Sequence, residues 1–412
     1  MAKNPFDKVK KKRKESKIFR ISSTIVIAVI LLVLVGILSV FAKRAIMEHR
    51  ANLTKPDTVE GDYYFNGLSW KDQQLYNEIV EAATECKEGS DIIPYSYDMD
   101  TFENVIKCVM ADRPDLFYVD FSSLVLNHAS SKTKITMTYF AGGKKLQTLI
   151  SDYKSSIEEA LKDISGESQF ELELAVHDYI CGHCDYAIGQ TDRLYNTAYG
   201  ALVYKSAYCD GYAYATKALL DGLGVESTIV YGSVDGSDHV WNIVKIDGDY
   251  YHLDVMWDDG NLTNNENFRF HGYFNLTDEK ICLDHSFEDY DFIPDCTTEK
   301  TFYDSCASSC KTLAETEEIL YYLLVDAAND NNRDYIELYC EESVANDLIA
   351  PYFKKAVARY NEKYGTSEET DTSENNETAS EQSEKIPVFL DAFRVYNASK
   401  VTNTITIQIF YN

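Results

Sequence analysis

Cys209, His239 and Asp254, in that chain order, are the residues whose types and spacing add up to a reaction. A thiol attacks a carbonyl carbon only as its thiolate, so a nucleophilic cysteine needs a base beside it. The base in turn needs a third group that holds its tautomer and orientation. Cys209 directly precedes DGYAYATKALLDGLG (210–224), a run that reads as a helix closed by Gly222 and Gly224. A thiolate at the start of that helix faces backbone N–H groups without intrahelical acceptors and the positive end of the helix dipole. Gly211 lets the turn pack closely. The same N–H groups, that of Cys209 included, are placed to hold a developing oxyanion.

Counting puts the other two residues on one face. The strand-like runs 239–246 and 249–257 flank Asp247-Gly248, a two-residue hairpin signal. That turn pairs Ile246 with Asp249, so His239 falls opposite Met256 and Asp254 is its diagonal neighbour. Side chains alternate along a strand, so the two share a face and the carboxylate reaches the imidazole. A three-residue loop would have put them on opposite faces.

These residues sit in a run, AYGALVYKSAYCDGYAYATKALLDGLGVESTIVYGS…DHVWNIVKIDGDYYHLDVMWDD, that resembles the core of the transglutaminase-like superfamily. The resemblance rests on Cys209-Asp210-Gly211-Tyr212-Ala213, His239-Val240-Trp241-Asn242, and Tyr251-His252-Leu253-Asp254 ahead of Met256-Trp257-Asp258. Upstream, VHDYICGHCDYA (176–187) is similar to the helix that commonly precedes that core. The resemblance is strong over roughly 175–260. One departure is Val255, where many members carry proline after the triad aspartate. The resemblance implies a papain-like α+β core, its nucleophile at a helix N-terminus packed on an antiparallel sheet. It also implies acyl chemistry through a Cys thioester, with Cys209 as nucleophile, His239 as base and Asp254 as the orienting carboxylate. Eukaryotic members crosslink glutamine to lysine, and bacterial ones include peptidases and amidases; the residues do not choose between water and amine as acceptor. The opposing reading is a catalytically silent scaffold, or a module that binds a peptide or glycan.

Two aromatic residues are candidates for substrate contact, each weighed against core packing. Trp241 lies two residues past His239 on the same strand face, and Tyr199 precedes the nucleophile loop. Cys181-Gly182-His183-Cys184 with His177 invites a metal or redox reading. It lacks the second ligand pair that a closed site needs, so structural cysteines or a disulfide are expected and no metal or cofactor. With ten cysteines and one of them nucleophilic, nine remain and cannot all pair internally.

The elements that must position this site occupy the middle of the chain. Residues 168–300 are read as the catalytic domain. Residues 61–165 are read as an N-terminal α/β domain, and Ser69 is a plausible helix N-cap there. This region, with DRPDLFYVD (112–120), loosely resembles extensions found in exported proteins of Gram-positive bacteria. Residues 311–412 form a small α+β domain, interrupted by the acidic, polar segment 366–385, which reads as a disordered loop.

Ahead of these lies a charge-free stretch, Ile21–Ala42, whose 22 residues rise about 33 Å as a helix, enough to cross a hydrocarbon core. It is longer than a signal-peptide core, the competing reading. Residues 1–20 form a basic tail placed in the cytoplasm by their charge, and residues 43–60 a stalk. The large remainder is then extracellular. The first 50 residues carry a net +9 within a total of −28, so residues 51–412 carry −37. Such a body repels nucleic acid and anionic lipid. The expected partners are a protein or peptide substrate, with cell-wall peptide as a candidate, and the membrane through the N-terminal helix.

Overall fold

The computed structural model describes residues 5–129, 132–259, 269–288, 291–305, 309–310, 312–329, 335–340, 346–364, 390–399 and 404–411. Segment 366–385, expected as a disordered loop, lies outside the described residues. The chain forms two compact units. The first comprises Met1–Thr58, Leu68–Ile106 and Ser123–Met137. It begins with one long helix, α1 (Pro5–Leu53), within which Ile25–Met47 is apolar enough to cross a membrane and is nowhere buried. The helix continues to Leu53, into the segment expected as a stalk.

Helix α2 (Trp70–Thr84) starts at Ser69, whose hydroxyl accepts the Asp72 N–H at 3.3 Å. It buries Leu75, Tyr76, Ile79, Ala82 and Ala83 at helical spacing. Helix α3 (Met99–Asp112) follows, and the hairpin β1 (Val125–Ala129) and β2 (Lys132–Thr136) pairs antiparallel. The sequence pattern suggests strand from residue 115 onward, but Pro114–Leu116 and Phe121–Ser123 are single 3-10 turns. The neighbours Phe117 and Tyr118 are both buried, which a strand with one solvated face does not allow.

The second unit, Val59–Gly67, Lys107–Ser122 and Thr138–Asn412, holds Cys209, His239 and Asp254. Two long helices, α4 (Gly143–Asp163) and α5 (Gln169–His183), precede α6 (Cys209–Gly222). Strands β3 (Ser227–Val234), β4 (Ser237–Ile246) and β5 (Asp249–Leu253) follow. A short helix α7 (Val255–Asp258) and strands β6 (Phe274–Leu276) and β7 (His285–Phe287) complete the central part. The five strands form one antiparallel sheet in the order β6-β5-β4-β3-β7.

The turn between β4 and β5 is made by Asp247 (φ +54°) and Gly248 (φ +99°), the left-handed pair of a tight hairpin. Ile246 therefore faces Asp249, and the register holds to Asn242 opposite Leu253. Beyond that point the chain leaves the sheet, four residues earlier than the strand pattern suggests. Asp254 caps α7 by accepting the Trp257 N–H at 3.1 Å, which turns 255–258 into a helix. One sheet face buries Val230, Trp241, Ile243, Tyr273 and Leu276. Helix α6 buries nine of its residues, and Asn242 ties β4 to it by donating to the Ala213 carbonyl at 3.0 Å.

A second sheet of this unit, in the order β8-β9-β11-β10, comprises β8 (Ser309–Cys310), β9 (Tyr335–Cys340), β10 (Leu390–Ser399) and β11 (Thr404–Tyr411). Helices α8 (Leu313–Asn329) and α9 (Asn346–Tyr364) share with it a core of Leu320, Leu324, Leu338, Phe353, Ile405 and Ile407. Each such side chain contributes roughly 1.5–3 kcal/mol by leaving water.

Candidate active site

Cys209 is the first residue of α6 and is half-buried. Tyr208, the N-cap, makes no capping bond with its side chain, so the first-turn N–H groups are not closed off by it. Gly211 explains how the nucleophile turn fits. A Cβ there would meet the Ala207 methyl at 2.6 Å and the carbonyls of Thr197 and Tyr195 at 2.9 Å.

His239, near the start of β4, is 5% exposed and lies close enough to Cys209 for the thiol to help raise its pKa. Its Nε2–H donates to Asp254 Oδ2 at 2.5 Å, which leaves Nδ1 for the sulfur. Burial pulls this imidazole down, but the charge and hydrogen bond of Asp254, with help from Cys209, outweigh it and push its pKa up to about 10. Asp254 is 1% exposed. Burial alone would raise its carboxyl; the bonds from His239 and His285 hold it well below the ordinary carboxylate range. The structure thus brings all three residues together, with a base poised as imidazolium beside a thiol.

Trp241 and Tyr199 are both buried. The Trp241 indole stacks behind His239 at 5.7 Å, and its Nε1–H donates to His252 Nδ1 at 2.9 Å. That bond makes Nδ1 the acceptor, so His252 presents Nε2–H to Asp278 at 2.9 Å and is held as the neutral tautomer. Desolvation lowers its pKa in the same sense. The Tyr199 ring stacks on Phe117 at 5.1 Å and meets Tyr204 edge-on.

Sequence reasoning missed two neighbours. His285 Nε2 lies 3.1 Å from the same Asp254 Oδ2, and its Nδ1 lies 2.5 Å from Asp284. It stands 31 residues beyond Asp254, and the only local signal is an Asp-His pair entering a short strand. Asp210, in the first turn of α6, accepts from Asn196 at 3.1 Å; burial raises its carboxyl.

A second buried polar cluster underlies α7. His177 on α5 sits between Asp178 (3.0 Å) and Asp258 (3.4 Å), and Asp258 also accepts the Tyr273 N–H at 2.9 and 3.0 Å. His271 reaches Asp178 at 3.2 Å and Glu337 of β9 at 2.6 Å. Cys181 of the CGHC run donates to the Val255 carbonyl at 3.6 Å, while His183 turns to the Tyr179 carbonyl. Burial pushes both the Cys181 and Cys184 thiols up, so these are packing groups rather than reactive ones. Among the described residues, three groups have ligand atoms close enough for a metal ion: His177–Asp178–His271, His239–Asp254–His285 and His252–Asp278–Cys296. In the third, the indole N–H occupies one ring nitrogen of His252.

A half-buried thiol at a helix N-terminus thus lies with an imidazole from β4 and a carboxylate at the head of α7. Residues 158–255 match the transglutaminase-like superfamily, and the chain carries a transglutaminase-like core of mixed helix and sheet. Among individual proteins, it is 26% identical over 156 residues to the kyphoscoliosis peptidases of Homo sapiens and Mus musculus. The match covers 33% of this chain and 24% of each of those proteins, so the chain spans about a quarter of the relatives it matches. Similar solved structures include a TGase (13% identity, 40% of this chain and 50% of that one, TM-score 0.24). Another is a candidate cysteine protease from Cytophaga hutchinsonii (14% identity, 32% and 61% coverage, TM-score 0.23). Likenesses of that size carry no argument by themselves.

Proposed function

We propose that this protein is a membrane-anchored cysteine acyl-transfer enzyme that hydrolyses amide bonds in a protein or peptide, with Cys209 as nucleophile, His239 as acid and base, and Asp254 as orienting carboxylate. The observation that carries the reading is the 2.5 Å bond from His239 to buried Asp254, with the other ring nitrogen left for Cys209 at the head of α6. Hydrolysis is preferred over crosslinking because the similar curated proteins are named peptidases.

In the first step the Cys209 sulfur bonds to the amide carbon, and the carbonyl oxygen takes the negative charge at the first-turn N–H groups of α6. The C–N bond then breaks as imidazolium His239 gives its proton to the departing amine, leaving a thioester. Water, deprotonated by His239, attacks that carbon. The C–S bond breaks, the acid departs and the site returns to its starting charge. Trp241 backs the imidazole throughout, and Tyr199 packs behind the loop that leads to Cys209. In this reading α1 crosses the membrane with its basic end in the cytoplasm, which places the acidic remainder outside, where envelope proteins or peptides are the available substrates.

The test uses the full-length chain in detergent with a glutamine-containing protein, such as casein, and a fluorescent primary amine. New amino termini that require Cys209 and vanish in Cys209→Ala support hydrolysis. Amine incorporation in their place moves the assignment to crosslinking. Neither product, together with Cys209 alkylation that is slow below pH 8, defeats the enzyme reading.

A further inference from the structure

Asp254 has one carboxylate oxygen serving two histidines. Oδ2 lies 2.5 Å from His239 Nε2 and 3.1 Å from His285 Nε2, while Oδ1 accepts the Trp257 N–H. His285 is 3% exposed, and its other nitrogen meets Asp284 Oδ1 at 2.5 Å. Asp284 is itself anchored, its Oδ2 accepting the Tyr273 hydroxyl at 2.6 Å. A neutral imidazole has one donor nitrogen and one acceptor, and ionised carboxylates only accept. With a carboxylate at each nitrogen, His285 satisfies both only as imidazolium. The strand that carries it is seated by Gly232, where a Cβ would collide with the Ser286 carbonyl and with the Trp241 indole, at 2.5 Å for the latter.

We propose that His285 is a positioning residue of the active site: as an imidazolium clamped by Asp284, it holds Asp254 Oδ2 and offsets part of its charge, and so sets how firmly His239 keeps its proton. This rests on the triad reading above. A lone buried carboxylate beside His239 would hold the imidazolium so strongly that it became a poor acid for the departing amine. A second cation on the same oxygen weakens that hold while fixing the carboxylate in place. The His239 and His285 rings are 5.4 Å apart, so the effect is electrostatic and passes through Asp254. The charged or titratable groups around His285 are Asp284 on its own segment, Asp254 at the head of α7, His239 on β4 and His252 on β5. The aromatic faces of Trp241, Trp257 and Tyr273 fill the remaining sides.

The test is the pH dependence of Cys209 carboxymethylation by iodoacetate in the full-length chain, with Cys209→Ala subtracting other thiols. The anionic reagent reacts best while His239 is protonated, so the alkaline limb of the profile marks loss of that proton. His285→Gln keeps an N–H aimed at Asp254 and removes the charge. It is expected to move the alkaline limb up by roughly two pH units, as for a unit charge at the 5.4 Å ring separation and an effective dielectric constant near 20. The plateau rate should stay within about tenfold, a shift that loss of packing alone would not produce. His285→Ala, if it folds, should move the limb equally and slow the plateau further. An unmoved limb in His285→Gln, with a wild-type profile that still depends on His239, overturns the proposal and leaves the triad standing. A wild-type profile unaltered by His239→Ala overturns both.

Discussion

Replacing Asp254 by asparagine keeps the side chain's shape and removes the charge that holds His239. In the native site His239 rises from an ordinary 6.5 to about 10 despite burial that opposes it. At about 1.36 kcal/mol per pH unit, that is roughly 5 kcal/mol in favour of the imidazolium. Without the carboxylate, burial opposes the imidazolium with only the help from Cys209 against it, and the neutral imidazole gains. If relaxation recovers half of the loss, about 2.5 kcal/mol remains, or close to 70-fold fewer thiolate–imidazolium pairs. The assay is site-resolved alkylation of Cys209 by iodoacetamide in the full-length chain between pH 5 and 9. Asp254→Asn should label roughly 70-fold more slowly than native protein at pH 6.5 and then climb with pH like an ordinary thiol near 8.5. The same pair also contributes stability, present below 6.5 and lost as pH rises through about 10, so the variant's melting deficit relative to native protein should be larger at pH 6 than at pH 10. Equal labelling rates at pH 6.5 in two folded proteins would refute the assignment of Asp254.

The remaining predictions concern buried charge. Glu173 on α5 is fully buried, its Oε1 has no hydrogen-bond partner among the described residues, and burial pushes it up to about 8. Because its folded value lies above the unfolded 4.5, the group costs stability as pH rises from 4.5 toward 8. Glu173→Gln should therefore stabilise by about 3 kcal/mol at pH 7 and by almost nothing at pH 4.5, read by urea unfolding. His271 is pulled down by burial and raised, net, to about 9 by Glu337 first and Asp178 next. That stabilisation is present below pH 6.5 and lost as pH rises through about 9. Glu337→Gln should destabilise by about 3 kcal/mol at pH 6 and clearly less at pH 10.

Much of the site was legible because its parts obey short-range rules. The placement of Cys209 follows from a helix start that Gly211 keeps open, and the β4–β5 register follows from two residues, Asp247 and Gly248, adopting positive φ. Such turns act over neighbouring residues, so counting along the chain gives the register from Ile246 opposite Asp249 to Asn242 opposite Leu253, but the expected pairing of His239 with Met256 does not form. The long apolar run and the helical spacing of α2 and α6 are equally local. What the counting could not foresee is that Asp254 leaves the strand to cap α7, since capping competes with strand pairing and the outcome depends on Tyr273 and Asp258 behind it. His285 and Glu337 were invisible for a related reason. Their roles depend on β7 pairing with β3 and on β9 lying near α5, and neither follows from spacing. Local backbone chemistry determined the helix start at Cys209 and the hairpin that lies between His239 and Asp254. Only the tertiary structure decided which buried charges surround them, because a buried charge finds its partner through space rather than along the chain.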